Sequence, residues 1–203
     1  MKEIFENTGL KQLAFVFILG GFFTFGGVFA FTDFQLQPDQ KPSTSQEIGW
    51  HGEVTAKQYN SEGEVIYSHQ GENILTNEGA NFIRSHLVGE TSNEINYIAL
   101  TNASSYSTDK THGYLPSEVT QYNLSRKKGT ITKTDTGTWE IKAEWKANGS
   151  IDGVVGTGLF PHDVQNNVSS DSNILVAEES MNPKAFRDDY KFELTWEIEQ
   201  VAG

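Results

Sequence analysis

The sequence predicts a mainly β fold: a single antiparallel β-sandwich with one short helix, preceded by an N-terminal transmembrane helix. Three observations lead to this prediction. Residues 12–32 form an uncharged apolar run. Segments rich in Val, Ile, Thr and aromatic residues then recur between turn residues, as strands do. One further segment shows helical spacing instead. The chain therefore divides into an internal N-terminus (1–11), a transmembrane helix (12–32), a flexible stalk (33–48) and an exterior domain (49–203).

The apolar run is long enough to cross a bilayer, because about 20 helical residues at about 1.5 Å each span the hydrocarbon core. Lys2 and Lys11 precede the run, and the first basic residue after it is Lys41. The positive-inside rule then leaves the exterior domain outside the cytoplasm. Gly20 and Gly27 share a helix face along which another helix could pack closely. The predicted anchor residues are Leu13, Phe17, Gly20, Gly27 and Phe31.

A signal sequence is the alternative interpretation of the same run. Residues 28–30 loosely fit a small-x-small cleavage motif, and a cut after Ala30 would secrete the protein. The run is longer than the usual apolar core of a signal peptide, roughly 7 to 15 residues, and Glu3 and Glu6 precede it. We therefore expect a retained anchor, with the domain on a virion envelope or a cell surface.

The exterior domain begins after a polar segment, residues 35–47, whose two prolines are typical of a flexible stalk. Residues 138–146 and 191–201 alternate apolar and charged side chains with period two, which predicts half-buried strands. The turns NSEG and DTG predict two hairpins. The remaining predicted strands are 52–59, 64–70, 95–102, 129–134, 150–160 and 173–179.

The one predicted helix spans residues 75–89. Thr76 can cap its first turn, Glu78 lies near the positive end of its dipole, and Gly89 provides a stop. The apolar residues at helical spacing are Ala80, Ile83 and Leu87.

Composition argues against one class of partner and excludes two kinds of cysteine-dependent structure. The net charge is −12, with 27 acidic and 15 basic residues, so nucleic acid is not an expected partner. The chain contains no cysteine, which excludes disulfides and thiolate metal sites.

The sequence carries no motif of a catalytic site, and we expect no enzymatic activity. The five histidines lack metal-ligand spacing, and neither HExxH nor GxSxG occurs. The glycine-rich segment 153–160 lacks the Lys-Ser/Thr ending of a phosphate loop, so it predicts a bulge or close packing. No cofactor is expected; the candidates for calcium ligands, should one bind, are Asp163, Asn166 and Asp171.

Several features outside these motifs predict surface contacts. The basic cluster Arg126, Lys127 and Lys128 is a candidate contact with an acidic patch of a neighbouring subunit, such as 188–189. The Tyr- and Ser-rich segment 102–114 is a candidate surface for a host receptor or glycan. Possible glycosylation sites are Asn102, Asn123, Asn148 and Asn167.

The order of the short motifs ENILTNEGANFI, INYIALTN, STDKTHGYLPSEV, GLF, NILVAEE and FELTWEI resembles a family of phage and virus-like tail or virion-surface β-sandwich domains. The resemblance covers roughly residues 72–199. It implies a structural role and transfers no catalytic residues. The chain departs from the pattern at 156–158, where the family often has an acidic residue, and in extra residues between Thr101 and Leu115.

Together these observations predict a non-enzymatic, membrane-anchored structural surface protein. We expect a virion spike, coat or tail-like subunit, of an archaeal virus for example, that makes repeated self-contacts and attaches to a host. The expected partners are the lipid bilayer, further copies of the chain or other surface subunits, and a host receptor or glycan. The alternative is a secreted or pilin-like filament subunit with a processed N-terminal segment, in which residues 31–36 could add as a strand to a neighbour.

Overall fold

The computed structural model describes residues 48–164 and 173–202. The predicted internal N-terminus, the transmembrane helix with its anchor residues, and the stalk up to residue 47 lie outside this part of the chain. Within it, no helix combines the length and apolarity that a membrane crossing requires.

The described residues form ten strands and one helix. The strands are β1 (Ile48–Tyr59), β2 (Val65–Glu72), β3 (Ile74–Leu75), β4 (Tyr97–Thr101), β5 (Lys127–Lys128), β6 (Thr130–Asp135), β7 (Thr138–Lys146), β8 (Ile151–Phe160), β9 (Ala177–Phe186) and β10 (Lys191–Ala202); the helix α1 is Asn77–Leu87.

The strands make two antiparallel sheets of five. The first sheet has the order β2-β1-β10-β7-β6, and the second has the order β3-β9-β8-β4-β5. One apolar cluster holds buried side chains of both sheets, among them Trp145, Trp196, Ile98 and Leu159. The mainly β prediction is confirmed, and the two packed sheets agree with the predicted sandwich.

Both predicted hairpins are present. Between β1 and β2, the Asn60 side-chain oxygen accepts hydrogen bonds from the amides of Glu62 and Glu64, and Gly63 has a φ of 85°. Between β6 and β7, Gly137 has a φ of 77°. These turns hold the flanking strands in register.

The prediction for residues 173–179 was correct only in part. The strand β9 begins at Ala177 and continues to Phe186. Val176 lies outside this strand, and its carbonyl accepts a hydrogen bond from the amide of Thr76, at the start of α1. The pairing of β8 with β9 shifts register between Val154 and Gly156, so Pro183 lies in an irregular stretch where a proline is tolerated.

The helix is confirmed, with Thr76 as its N-cap: the hydroxyl accepts from the amide of Gly79 at 2.9 Å. Gly79 and Phe82 are its buried residues. A Cβ at position 79 would overlap the carbonyl of Val176, so glycine lets the helix lie directly on the neighbouring backbone. The apolar residue Leu87, in contrast, is 70% exposed.

Candidate functional site

An apolar groove of about 520 Å³ lies at one end of the sandwich. The first sheet contributes Trp50, Ile131 and Trp139 to its lining, and α1 contributes Ala80, Ile83 and Leu87. Polar groups are few and include His86, Asn93, Glu94 and Gln200. Mainly apolar concave surfaces with few polar groups are typical of binding sites.

The groove exists because the inner face of the first sheet extends past the residues that bury it in the core. Along β1 and β10 the paired residues Val54 and Trp196 are fully buried. Four residues towards the start of β1, Trp50 is only half-buried, as is Trp139 on β7. The two indole rings meet edge to face with centroids 5.6 Å apart. The floor of the groove is thus an open end of the sandwich core.

Exposed apolar side chains border the groove. Leu87 and Val88, where α1 ends, are 70% and 64% exposed, and Ile131 on β6 is 42% exposed. Single exposed apolar residues are ordinary, but a contiguous apolar patch marks a contact surface. We call Leu87 and Val88 the ridge.

The strand β6 forms an edge of the first sheet beside the groove. Within the described residues it pairs only with β7, and all six of its residues are exposed. Lys133 pairs with Trp139 and therefore lies on the inner face. A lysine on the inner face of an edge strand disfavours unspecific strand addition.

A buried carboxylate anchors the loop that follows β4. Glu178 on β9 is fully buried, and its oxygens accept from the Tyr106 hydroxyl at 2.7 Å and from the Asp109 amide. His112 Nδ1 lies 2.9 Å from the same carboxylate. Burial raises the pKa of Tyr106 far above its usual range, and the negative charge of Glu178 raises it further. Because the carboxylate is occupied by loop groups, the cluster holds the loop and offers no open catalytic centre.

This anchoring bears on the predicted receptor or glycan surface, residues 102–114. The ring of Tyr106 lies against Gly156 so closely that a Cβ there would overlap it. The prediction that the glycine-rich segment packs closely is therefore confirmed. Ser104, Ser105 and Lys110 remain exposed, and receptor or glycan binding stays a prediction for them.

The next residue of β9, Glu179, contacts the first sheet instead. Its carboxylate lies 3.1 Å from His69 Nε2 on β2. Burial raises the pKa of Glu179, and the interaction with His69 opposes this shift. Glu178 and Glu179 were not among the predicted site residues, although two adjacent acids after the apolar run 174–177 are a signal for buried, paired carboxylates.

The three residues of the basic cluster differ in exposure: Arg126 is buried, whereas Lys127 and Lys128 are exposed. The Arg126 side chain is fully buried and contacts Glu118 through two hydrogen bonds of 3.0 and 2.7 Å. The predicted contact with a neighbouring subunit is thus left to Lys127 and Lys128, which are exposed. Lys127 Nζ donates to the Glu144 carbonyl at 2.6 Å.

The remaining predicted sites are dispersed. Asp163 is exposed, whereas Asn166 and Asp171, the other candidate calcium ligands, lie outside the described residues. Residues 48–164 and 173–202 contain no group of three or more His, Asp or Glu side chains able to hold a metal ion. The possible glycosylation sites Asn102, Asn123 and Asn148 are exposed; the fourth, Asn167, lies outside the described part.

Comparisons of the chain with protein-family models, with curated proteins and with solved structures give no match. The resemblance to virion-surface domains therefore stays a prediction. Function has to be inferred from the residues of the groove and from the sequence that precedes the sandwich.

Proposed function

We propose that this chain is a non-enzymatic, membrane-anchored structural protein, a virion spike, coat or tail-like subunit that makes repeated contacts with its neighbours. The observation that carries the proposal is the apolar groove. It exposes core side chains of the sandwich to solvent, which is unfavourable for an isolated domain and favourable for one that is covered in an assembly.

The pairing of the buried carboxylates within the domain supports a structural role. The Glu118 side chain, 4% exposed, is paired with Arg126, and the fully buried Glu178 accepts hydrogen bonds from the loop after β4. An enzyme instead needs groups that converge on a space open to substrate. The lining of the groove is mainly aromatic and aliphatic, so it favours binding over reaction chemistry.

The membrane part of the proposal is supported by the sequence. The apolar run 12–32 precedes the sandwich, and basic residues stand on its N-terminal side. The strand β1 begins at Ile48, and the next two residues line the groove. The exterior domain therefore begins beside the apolar groove.

A second candidate is a secreted or pilin-like filament subunit, and the exposed edge of β6 favours it. An edge strand presents unpaired backbone groups to which a specific partner strand can add, even though Lys133 disfavours unspecific addition at this edge. The groove beside this edge would take the apolar side chains of such a strand.

N-terminal sequencing of the protein purified from its source separates these candidates. A mature protein that begins at Met1 and remains in the membrane after carbonate extraction supports the anchored subunit. A start at Phe31 indicates secretion, and a start near Leu10 indicates a pilin-like subunit. Cryo-electron microscopy of the source particle then tests assembly: isolated copies scattered in a membrane would refute the repeated contacts.

A further inference from the structure

We propose that the groove is a contact between two copies of this chain, in which the ridge of each copy fills the groove of the other. The inference rests on the proposed function and deepens it, because it names the surface and the partner of the repeated contacts. The partner is a second copy, related by a twofold axis.

The positions of ridge and groove favour this arrangement. Leu87 lines the groove and, with Val88, protrudes beside it. In a twofold pair the same patch occurs on both copies, so a protrusion next to a recess can enter the partner's recess while its own recess is filled. A groove of about 520 Å³ has room for several aliphatic side chains, and its floor is the Trp50–Trp139 pair.

The charges around the groove are complementary in the same arrangement. Arg84 and His86 lie in the last turn of α1, and Arg84 is one helical turn before the ridge. Glu94 belongs to a different part of the lining, contributed by residues 93–95. In the proposed pair, Arg84 beside the ridge is placed to contact Glu94 in the lining of the partner's groove. In a twofold pair the contact between Arg84 and the partner's Glu94 occurs twice, once in each direction.

The natural absence of cysteine makes the contact testable by site-directed cross-linking. Full-length Leu87→Cys and Ile131→Cys chains are mixed in phosphatidylcholine vesicles and oxidised with copper phenanthroline. We expect a disulfide between positions 87 and 131 of different chains, identified by mass spectrometry of the linked peptides. The matched control is Val65→Cys in place of Leu87→Cys, because Val65 is also an exposed apolar residue, 55% accessible, on β2. The control should give no link to Ile131→Cys above the collisional background.

Two sets of substitutions test the energetic basis of the contact. Changing both Leu87 and Val88 to Asp should lower at least tenfold the yield of a disulfide between Ile131→Cys in one chain and Ile83→Cys in another, because Ile83 lies one helical turn before the ridge. The same change of Val65 and Ile66 should leave this yield unaltered.

The charge pair is tested by reversal. Arg84→Glu should weaken the cross-link several-fold, and Glu94→Arg in the same chain should restore it. A reversal without rescue would contradict the predicted pairing of these charges.

Other occupants of the groove give different results. If the groove faces lipid, brominated phosphatidylcholine will quench tryptophan emission, the ridge substitutions will abolish that quenching, and no disulfide will form between chains. If the preceding segment covers the groove, Ile131→Cys will cross-link to Phe34→Cys within one chain. Either result overturns the inference while leaving a membrane-retained, assembled protein. Loss of the wild-type chain from the membrane fraction would instead overturn the proposed function.

Discussion

Replacement of Arg126 by methionine should destabilise the domain severely. The guanidinium is surrounded by acceptors: both Glu118 oxygens, the Asn173 side chain at 2.9 Å and the His162 carbonyl at 2.9 Å. Its Cζ also lies 3.6 Å from the centre of the Phe160 ring. Methionine restores much of the volume but leaves the Glu118 charge in a site where its side chain is only 4% exposed. Breaking a buried ion pair from one side costs about 3–5 kcal/mol.

The cost should depend on pH in a defined direction. Burial already raises the pKa of Glu118, and the Arg126 charge holds that rise in check. Without the arginine, the folded-state pKa of Glu118 lies still further above its unfolded value. The loss of folding stability in the variant should therefore grow as pH rises and be smaller near pH 4.5. A second substitution, Glu118→Gln, should recover part of the loss at neutral pH.

Urea unfolding followed by tryptophan emission measures this prediction, since Trp145 and Trp196 are buried in the core. Wild type, both single variants and the double variant should be compared at pH 7 and pH 4.5. A loss below about 1 kcal/mol for Arg126→Met, independent of pH, is the behaviour of an exposed ion pair and would refute the reasoning.

Three further predictions concern the second sheet and the helix. Gly79→Ala should lower stability by about 1–2 kcal/mol although alanine favours helices, because overpacking against a backbone carbonyl outweighs a propensity gain of about 1 kcal/mol; a higher thermal midpoint would contradict this. Tyr106→Phe should cost about 2 kcal/mol by removing a donor to the buried Glu178, whereas the exposed Tyr122→Phe should be neutral in the same thermal melts. Glu179→Gln should stabilise the domain increasingly as pH rises above 4.5, because a raised folded-state pKa makes stability fall as the wild-type group ionises; an equal difference in melting temperature at pH 4 and pH 7 would refute it.

Strands with a regular pattern were predictable from the sequence. The predicted strand 138–146 coincides with β7, because its apolar side chains face a core and its charged ones do not. The hairpin turns were predictable for a local reason as well: Gly63 and Gly137 supply the positive φ that such turns require. The N-cap Thr76 belongs to the same class of short-range signals.

The candidate site was much less predictable, because it depends on distant segments. The spacing of Ala80, Ile83 and Leu87 predicted the helix but not which of its residues are buried: Gly79 and Phe82 are buried, and Leu87 is exposed. The groove becomes evident only when α1, β1 and β7 are placed together. Arg126 looked like part of a basic surface cluster, since nothing near it in sequence shows that Asn173 is its partner.

The pairing of β1 with β10 has a consequence for how the domain is made. These two strands are adjacent along their whole length, from Ile48 opposite Ala202 to Tyr59 opposite Lys191. The first sheet therefore cannot close until β10, which is far from β1 in sequence, has been synthesised. Contacts of such long sequence separation slow folding. If the domain is exported, as proposed, this delay would keep the polypeptide unfolded while it passes through a translocation channel. Completion of the sheet outside would then make the passage irreversible.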